Sequence, residues 1–324
     1  SVIKISASLE RIGDYAKNMA KRTGVLSQIA PVNDSAGSIR RSYSARTRLP
    51  ASMPIHFAQL SDTHVVADGT EEVLYVDNNA RAAMAVDAIC GEAPSVAAVL
   101  ATGDLTQWGT DAEYDKLAEV LAPLNVPILP IPGNHDTRAG LRRCFSDHPW
   151  PAAQSGGDHL SWVVELDGVR IIGLDTTVPG APGAAFDPDR EAWLRAVLST
   201  SHAGPTLLAM HHPPFVTGIE WMDASGFVGL DRFLAVIAEA PVDRILCGHM
   251  HRPMSSMVAG VSAEVGMSTA VHVALELAPE RPVQIIRDPI GYRIFRVDGS
   301  AIVGHTRYVD TGEAPFAPAW ADIK

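Results

Sequence analysis

The chain has 324 residues, 47% of them hydrophobic, and a formal net charge of −11. That apolar content suffices for one large core with an appendage, and the negative balance argues against a nucleic-acid polymer or an anionic membrane as partner. The three cysteines, Cys90, Cys144 and Cys247, are scattered and odd in number, which points to reduced thiols rather than a disulfide framework. With no apolar run of about 18 residues, the expected location is the cytoplasm. In chain order, residues 1–41 come first. Leu9, Ile12, Tyr15, Ala16, Met19 and Ala20 recur at helical spacing, with Arg11, Lys17, Lys21 and Arg22 between them. Residues 42–52 read as a linker, and Met53 stands just before the first expected strand. Two readings of residues 1–52 stay open. One is a fusion or upstream-reading remnant with Met53 as the functional start; the other is a genuine helix that docks on the domain or on another subunit.

From Ile55, short apolar runs alternate with amphipathic stretches. The runs predict strands at 55–60, 96–101, 127–131, 169–174, 205–210 and 244–247. The periodicity predicts helices at 77–90, 111–122, 187–199 and 229–240. Asp111 and Asp187 are the expected N-caps, the latter with Pro188 at the first helical position. Segments 257–266, 271–277, 292–297 and 301–308 read as further strands, with Asp298-Gly299 as a hairpin turn. The pattern implies an α/β chain built as a two-sheet sandwich flanked by helices. The expected division is an extension (1–52), a core (53–256) and C-terminal strands (257–324) that complete the second sheet and form a small β-rich cap.

Five short motifs end apolar runs: Asp62-Thr63-His64, Gly103-Asp104, Gly133-Asn134-His135-Asp136, His211-His212-Pro213-Pro214 and Gly248-His249-Met250-His251. They supply Asp62, His64, Asp104, Asn134, His211, His249 and His251 as candidate metal ligands. On extended chain, two-residue spacing would put Asp62 with His64, and His249 with His251, on one face. Gly103 lets the backbone turn before Asp104, whose two carboxylate oxygens can bridge two cations. Asn134 is a neutral donor. A lone histidine is more often a core residue than a ligand, but six of the twelve histidines lie inside these motifs, which moves the joint reading to metal binding. His56, His148, His159, His202, His272 and His305 have no such context. His212 is expected to orient a ligand or the substrate, Cys247 to be a small buried hydrophobe, and Asp136 to cap the following turn rather than orient His135. Nitrogen and oxygen donors without thiolate suit Mn, Fe, Co or Zn.

The order Asp-x-His, Gly-Asp, Gly-Asn-His-Asp, His-x-Pro, Gly-His-x-His resembles the calcineurin-like metallophosphoesterases. The resemblance implies an α-β-β-α sandwich and two divalent or mixed-valence ions. Asp62, His64, Asp104 and His251 would hold one, and Asp104, Asn134, His211 and His249 the other. It also implies attack on phosphorus by a hydroxide shared between the ions, with Asp104 and His135 as catalytic residues. His135 would lie beside the phosphate and donate a hydrogen bond or a proton to the leaving alcohol. The stretch His211-His212-Pro213-Pro214-Phe215 through Trp221-Met222-Asp223, the pair Leu74-Tyr75 with Asp77 and Asn79, and the run Pro289-Ile290-Gly291-Tyr292, Asp298-Gly299, His305-Thr306-Arg307-Tyr308 are similar to class III cyclic-nucleotide phosphodiesterases and bacterial glycerophosphodiesterases. This likeness covers about residues 54–310. It implies a small-molecule phosphodiester substrate, either a cyclic nucleotide or a glycerophosphodiester, with other phosphoesters and phosphonate esters open. Substrate contacts are expected from His135, Asn134, His212, Phe215 and Trp221. Phe215, Trp221 and Met222 could wall a cleft, stack a base, or form a dimer contact or local core. The subgroup implies a homodimer or higher homo-oligomer. A phosphomonoesterase with the same site and a non-catalytic binding protein on this fold are the alternatives. Residues 8–20 are similar to a helix of the PhoU-like family.

Overall fold

A computed structural model describes residues 54–70, 75–151, 159–278 and 281–309. The readings of residues 1–53, of Leu74 and of the chain beyond residue 309 lie outside the described residues. In chain order the elements are β1 (Ile55–Leu60), α1 (Asn78–Cys90), β2 (Ala98–Ala101), α2 (Asp111–Leu121), β3 (Ile128–Pro130), α3 (Arg138–Cys144), β4 (Trp162–Leu166), β5 (Val169–Leu174), β6 (Thr177–Val178), β7 (Ala181–Ala185), α4 (Pro188–Ser199) and β8 (Thr206–Met210). Then follow α5 (Glu220–Asp223), β9 (Phe227–Val228), α6 (Leu230–Glu239), β10 (Arg244–Cys247), β11 (Met254–Val258), β12 (Val261–Val265), β13 (His272–Val273), β14 (Ile285–Ile286), β15 (Gly291–Asp298) and β16 (Ala301–Tyr308).

Local chemistry fixes the helix starts. The Asp77 side chain caps α1 by accepting from Ala80 N at 2.9 Å, and Asp187 caps α4 with Pro188 behind it. The cap of α2 is Thr110, one residue before the expected Asp111. Thr110 and Glu113 close a reciprocal capping box, and the Glu113 carboxylate also accepts from Trp108 N. The Ser/Thr-x-x-Glu pattern outranks a lone Asp at the next position.

Two sheets carry the domain. One has the order β16-β15-β1-β2-β3, the other β11-β12-β10-β8-β5-β4. Their facing sides share one apolar cluster, in which Phe57, Leu100 and Ile131 meet Trp162, Ile171, Leu207 and Leu246. The outer face of the first sheet packs Ala58 and Val99 against Ala85, Ile89, Leu117 and Leu121 of α1 and α2. The outer face of the second packs Ile172, Leu208 and Ile245 against Leu194, Phe233 and Ile237 of α4 and α6. The result is the expected α-β-β-α layering. Strand β12 extends the second sheet as expected, whereas β15 and β16 join the first, antiparallel to β1. The stretch 257–266 is a hairpin rather than one strand, because Ala259 and Gly260 turn in the left-handed region. Within 271–277 only His272 and Val273 pair, with β14. Among the described residues, no helix is long and apolar enough to cross a membrane.

Strands β1, β2 and β3 are mutually parallel, as are β5, β8, β10 and β12. Their carboxyl ends lie at one edge of the sandwich, where open α/β sheets form ligand sites. Each of the five motifs leaves one of these ends, after β1, β2, β3, β8 and β10.

Candidate metal centre

Backbone geometry at this edge departs from extended chain. Asp62 (φ 52°), His64 (46°), Asp104 (50°), His249 (73°) and His251 (54°) all lie in the left-handed region, which non-glycine residues rarely adopt. Among the described residues, three other non-glycine residues do so: Tyr75, and Asp167 and Ala259, each before a hairpin glycine. Strand alternation therefore does not set the pairing at the site. Asp62 and His64 do converge, but His249 and His251 diverge: His251 joins Asp62, His64 and Asp104, whereas His249 joins His211. The loops are zipped together by Asp62 N to Gly103 O and His64 N to Asp104 O, both 3.0 Å.

The donor atoms face one another with too few protons to satisfy them. His64 Nδ1 donates to Gln107 Oε1 at 2.9 Å and His251 Nδ1 to the Val271 carbonyl at 2.8 Å. A carbonyl oxygen only accepts, so each ring carries a proton on Nδ1, and Nε2 is the nitrogen that a neutral ring would offer to an ion. Those Nε2 atoms lie 3.0 Å apart. Asp62 Oδ1 is 3.6 Å from His251 Nε2 and accepts His249 N at 2.9 Å, while Asp62 Oδ2 is buried without a hydrogen bond. Such nitrogens and an orphaned carboxylate oxygen at these distances are the surroundings of a cation. Asp104 stands between the two groups: its Oδ2 is 3.8 Å from His64 Nε2 and 3.3 Å from His211 Nε2. His211 Nδ1 donates to Thr102 O at 2.8 Å, and its Nε2 is 3.2 Å from Asn134 Oδ1. The residues present therefore fit two adjacent cations.

His212 lies in the same cluster, but Thr176 Oγ1 holds its Nδ1 at 2.8 Å and Pro182 O accepts from its Nε2 at 3.1 Å. It has no nitrogen left for an ion or a substrate. Its ring packs on His211 and His249 with centroids 4.9 and 4.7 Å apart and so orients them.

Electrostatics follow from burial and these neighbours. Burial, with His251 beside it, holds His64 well below the usual imidazole range, and burial with His211 lowers His249 to about 3. Burial opposes charge on His211 too, but Asp104 and Asp62 outweigh it and raise this imidazole to about 9. Burial likewise works against ionisation of Asp104, yet His211 and His64 keep it well below the carboxylate range. Without metal, one proton on His211 supplies the positive charge that the carboxylates require.

Three residues whose structural roles the sequence did not disclose hold this arrangement. Gln107 serves two histidines: its side chain takes His64, and its main-chain carbonyl accepts His135 Nδ1 at 2.7 Å. Gly133 closes onto Asp104, where a Cβ would come within 2.2 Å of the Asp104 nitrogen. Asp136 neither caps the next helix nor orients His135; Thr137 is that cap. The Asp136 carboxylate instead accepts Leu105 N, Thr106 N and Gly133 N at 3.0–3.2 Å, together with the hydroxyls of Thr106 and Tyr114. It ties the Asp104 loop to the Asn134 loop. Asp136→Ala leaves these donors without partners and is expected to lower stability by roughly 3–5 kcal/mol. Urea unfolding of the metal-free protein reads this, and a loss below about 1 kcal/mol would contradict the bracing role.

Of the aromatic residues expected near the substrate, Phe215 is half-buried and lines a cavity that His212 and His249 also line. Trp221 is 60% exposed on α5 and is not part of that wall; its neighbour Met222 turns inward instead. On a four-residue helix, adjacent side chains point about 100° apart, so only one can face the cavity. Asn79 clamps Val66 of the first metal loop through its amide, at 3.0 and 2.9 Å.

The calcineurin-like phosphoesterase family model matches residues 55–253, the span that holds all seven donors. The chain belongs to the calcineurin-like phosphoesterase family. It is 30% identical over 261 residues to a probable glycerophosphodiester phosphodiesterase of Arcobacter nitrofigilis, covering 80% of this chain and 94% of that one. It is 34% identical over 253 residues to a probable cyclic nucleotide phosphodiesterase of Rhodopseudomonas palustris, covering 77% and 90% respectively. A dimetal phosphatase from Danio rerio shares the fold with a TM-score of 0.55 at 15% identity, over 79% of this chain and 99% of that chain. Family membership and the donor cluster together make the chain a metal-dependent phosphoesterase.

Proposed function

We propose that the chain hydrolyses small phosphodiesters at two metal ions held by the five loops. The observation that carries this is the pair of imidazole Nε2 atoms 3.0 Å apart, each on a ring whose Nδ1 is bonded to an oxygen, beside an orphaned buried carboxylate oxygen. Asp62, His64, Asp104 and His251 would hold one ion, and Asp104, Asn134, His211 and His249 the other. The donor set suits Mn, Fe, Co or Zn. When bound, such a pair supplies charge stabilisation of the phosphate and a nucleophile drawn from water near neutral pH. His135 serves the leaving group. Its Nδ1 proton is committed to Gln107 O, so a proton carried on Nε2 is the one it can give to the departing alkoxide. Asn134, His135, His249 and His251 are the half-buried members of the site, and substrate enters over them. The names of the two relatives support a diester rather than a monoester substrate.

The test begins with metal-free protein reconstituted with Mn, Co, Zn or Fe. Bis(p-nitrophenyl) phosphate should be cleaved faster than p-nitrophenyl phosphate, and Asn134→Ala should abolish the metal-dependent rate. Faster monoester cleavage would reassign the chain to phosphomonoesterases, and absence of turnover with all four metals would remove the catalytic reading.

A further inference from the structure

Beside the metal centre lies a cavity of about 100 Å³. His212 and His249 form the wall shared with the cluster, and Phe215, Met222, Phe227, Leu230 and Met250 form much of the rest. Two of the polar side chains around it, His212 and Asp223, are engaged within the protein. His212 has both ring nitrogens bonded within the protein. The Asp223 carboxylate accepts Thr217 N, Thr217 Oγ1 and Gly218 N at 2.8–3.2 Å, closing the loop that shapes the wall. Ser225 and the candidate ligand His249 are the other polar side chains among the described lining residues. A polyol placed here would strand hydroxyls without partners, at about tenfold in affinity for each. A closed apolar cavity of about 150 Å³ encloses a benzene ring; this smaller one, open on one side, has room for the edge of a ring.

The position of the cavity matters as much as its lining. His135 stands against His64, with ring centroids 4.8 Å apart, whereas the cavity adjoins His249 and His212 at the other ion's side. A phosphate seated between the two groups would have His135 on the His64 side and the cavity on the His249 side. We propose that this cavity is the subsite for one ester arm and selects a flat aromatic group, so that aryl or nucleobase-bearing diesters are preferred over diesters with two polyol arms. This rests on the phosphodiesterase reading and narrows its substrate class.

The probe is a pair of non-hydrolysable single-arm ligands, phenylphosphonate and methylphosphonate, as competitive inhibitors of bis(p-nitrophenyl) phosphate cleavage by the Mn-loaded protein. Phenylphosphonate should bind on the order of 10–100-fold more tightly, the range expected for burying one aromatic ring. Two variants alter the cavity. Met222→Trp fills it, and Val216→Asp puts a carboxylate at a lining residue that is 79% exposed and so leaves the core untouched. Each should pull the ratio of inhibition constants toward one, and a charge effect on the phosphonate group itself cancels in that ratio. Equal constants in the unmodified protein would overturn the proposal. So would a ratio that persists in Val216→Asp and in folded Met222→Trp, since the ring would then sit elsewhere. If no metal yields turnover, the phosphodiesterase reading fails by itself, and titration calorimetry of the same two phosphonates onto Mn-loaded protein still reads the cavity.

Discussion

Asp104→Asn is expected to lower kcat for diester hydrolysis by about 10³-fold while the protein remains folded. The substitution keeps the shape and an oxygen for the 2.8 Å hydrogen bond from His135 N. It removes the negative charge that lies within 3.8 Å of His64 Nε2 and 3.3 Å of His211 Nε2. An amide cannot bridge two cations as a carboxylate does, and the second ion would enter a buried site with less compensating charge. Bound metal, counted by elemental analysis, should fall from two ions per chain towards one, in parallel with kcat. A variant that retains both ions and stays within tenfold of the parent rate would show that Asp104 is not the shared ligand.

The second large effect is on pH. In the metal-free protein, burial opposes charge on His211 but Asp104 and Asp62 hold it up to about 9, so at neutral pH its Nε2 carries a proton. An ion needs that lone pair, so loading must expel the proton. Metal affinity should therefore rise roughly tenfold per pH unit up to about pH 9, close to 100-fold between pH 7 and 9, and gain nothing further from this residue above that. Calorimetric titration with Mn at pH 7, in buffers of different ionisation enthalpy, should show about one proton released per His211-bound ion. The same shift acts on stability. Because the folded value exceeds the unfolded one, the His211–Asp104 pair stabilises the metal-free fold fully below about pH 6.5, and the benefit is lost as pH rises through about 9. Affinity that is flat between pH 7 and 9 would show that the proton is not on His211. Asp104→Asn should flatten the slope, since the carboxylate that retains the proton is gone.

Much of this site was legible because its donors have short-range signatures. Each motif ends a strand, and β1, β5, β10 and β16 fall on the expected residues. Apolar runs bounded by glycine and polar residues identify buried parallel strands well. What stayed hidden depends on contacts between loops far apart in sequence. Gln107 looks like an ordinary loop residue until the fold brings its amide to His64 and its carbonyl to His135. The position of Gln107 three residues after Asp104 was the available signal. Asp136 reads as the cap of the following turn because Asp commonly caps, but its partners come from the Asp104 loop, from Gly133 N and from the Tyr114 hydroxyl. Two-residue spacing suggested a shared face for His249 and His251, and left-handed backbone at both separated them. The short helix α3 escaped notice because seven residues (Arg138–Cys144) give too little periodicity. Its Gly140 is required by the close approach of the Tyr114 ring.

The left-handed backbone at Asp62, His64, Asp104, His249 and His251 also bears on how folding and metal binding are linked. Such conformations cost about 1–3 kcal/mol each for residues other than glycine, so a freshly synthesised, unfolded chain rarely visits them. The five are spread over nearly two hundred positions of sequence, and no short stretch can chelate an ion with this geometry by itself. This differs from small zinc modules, in which a short segment supplies the ligands and folds around the ion. The donors are brought together by the strand ends of the folded sandwich, not by any local segment of the chain. Ions that bind only this assembled geometry would add to the stability of the folded chain by mass action, because the unfolded chain offers them no equivalent site.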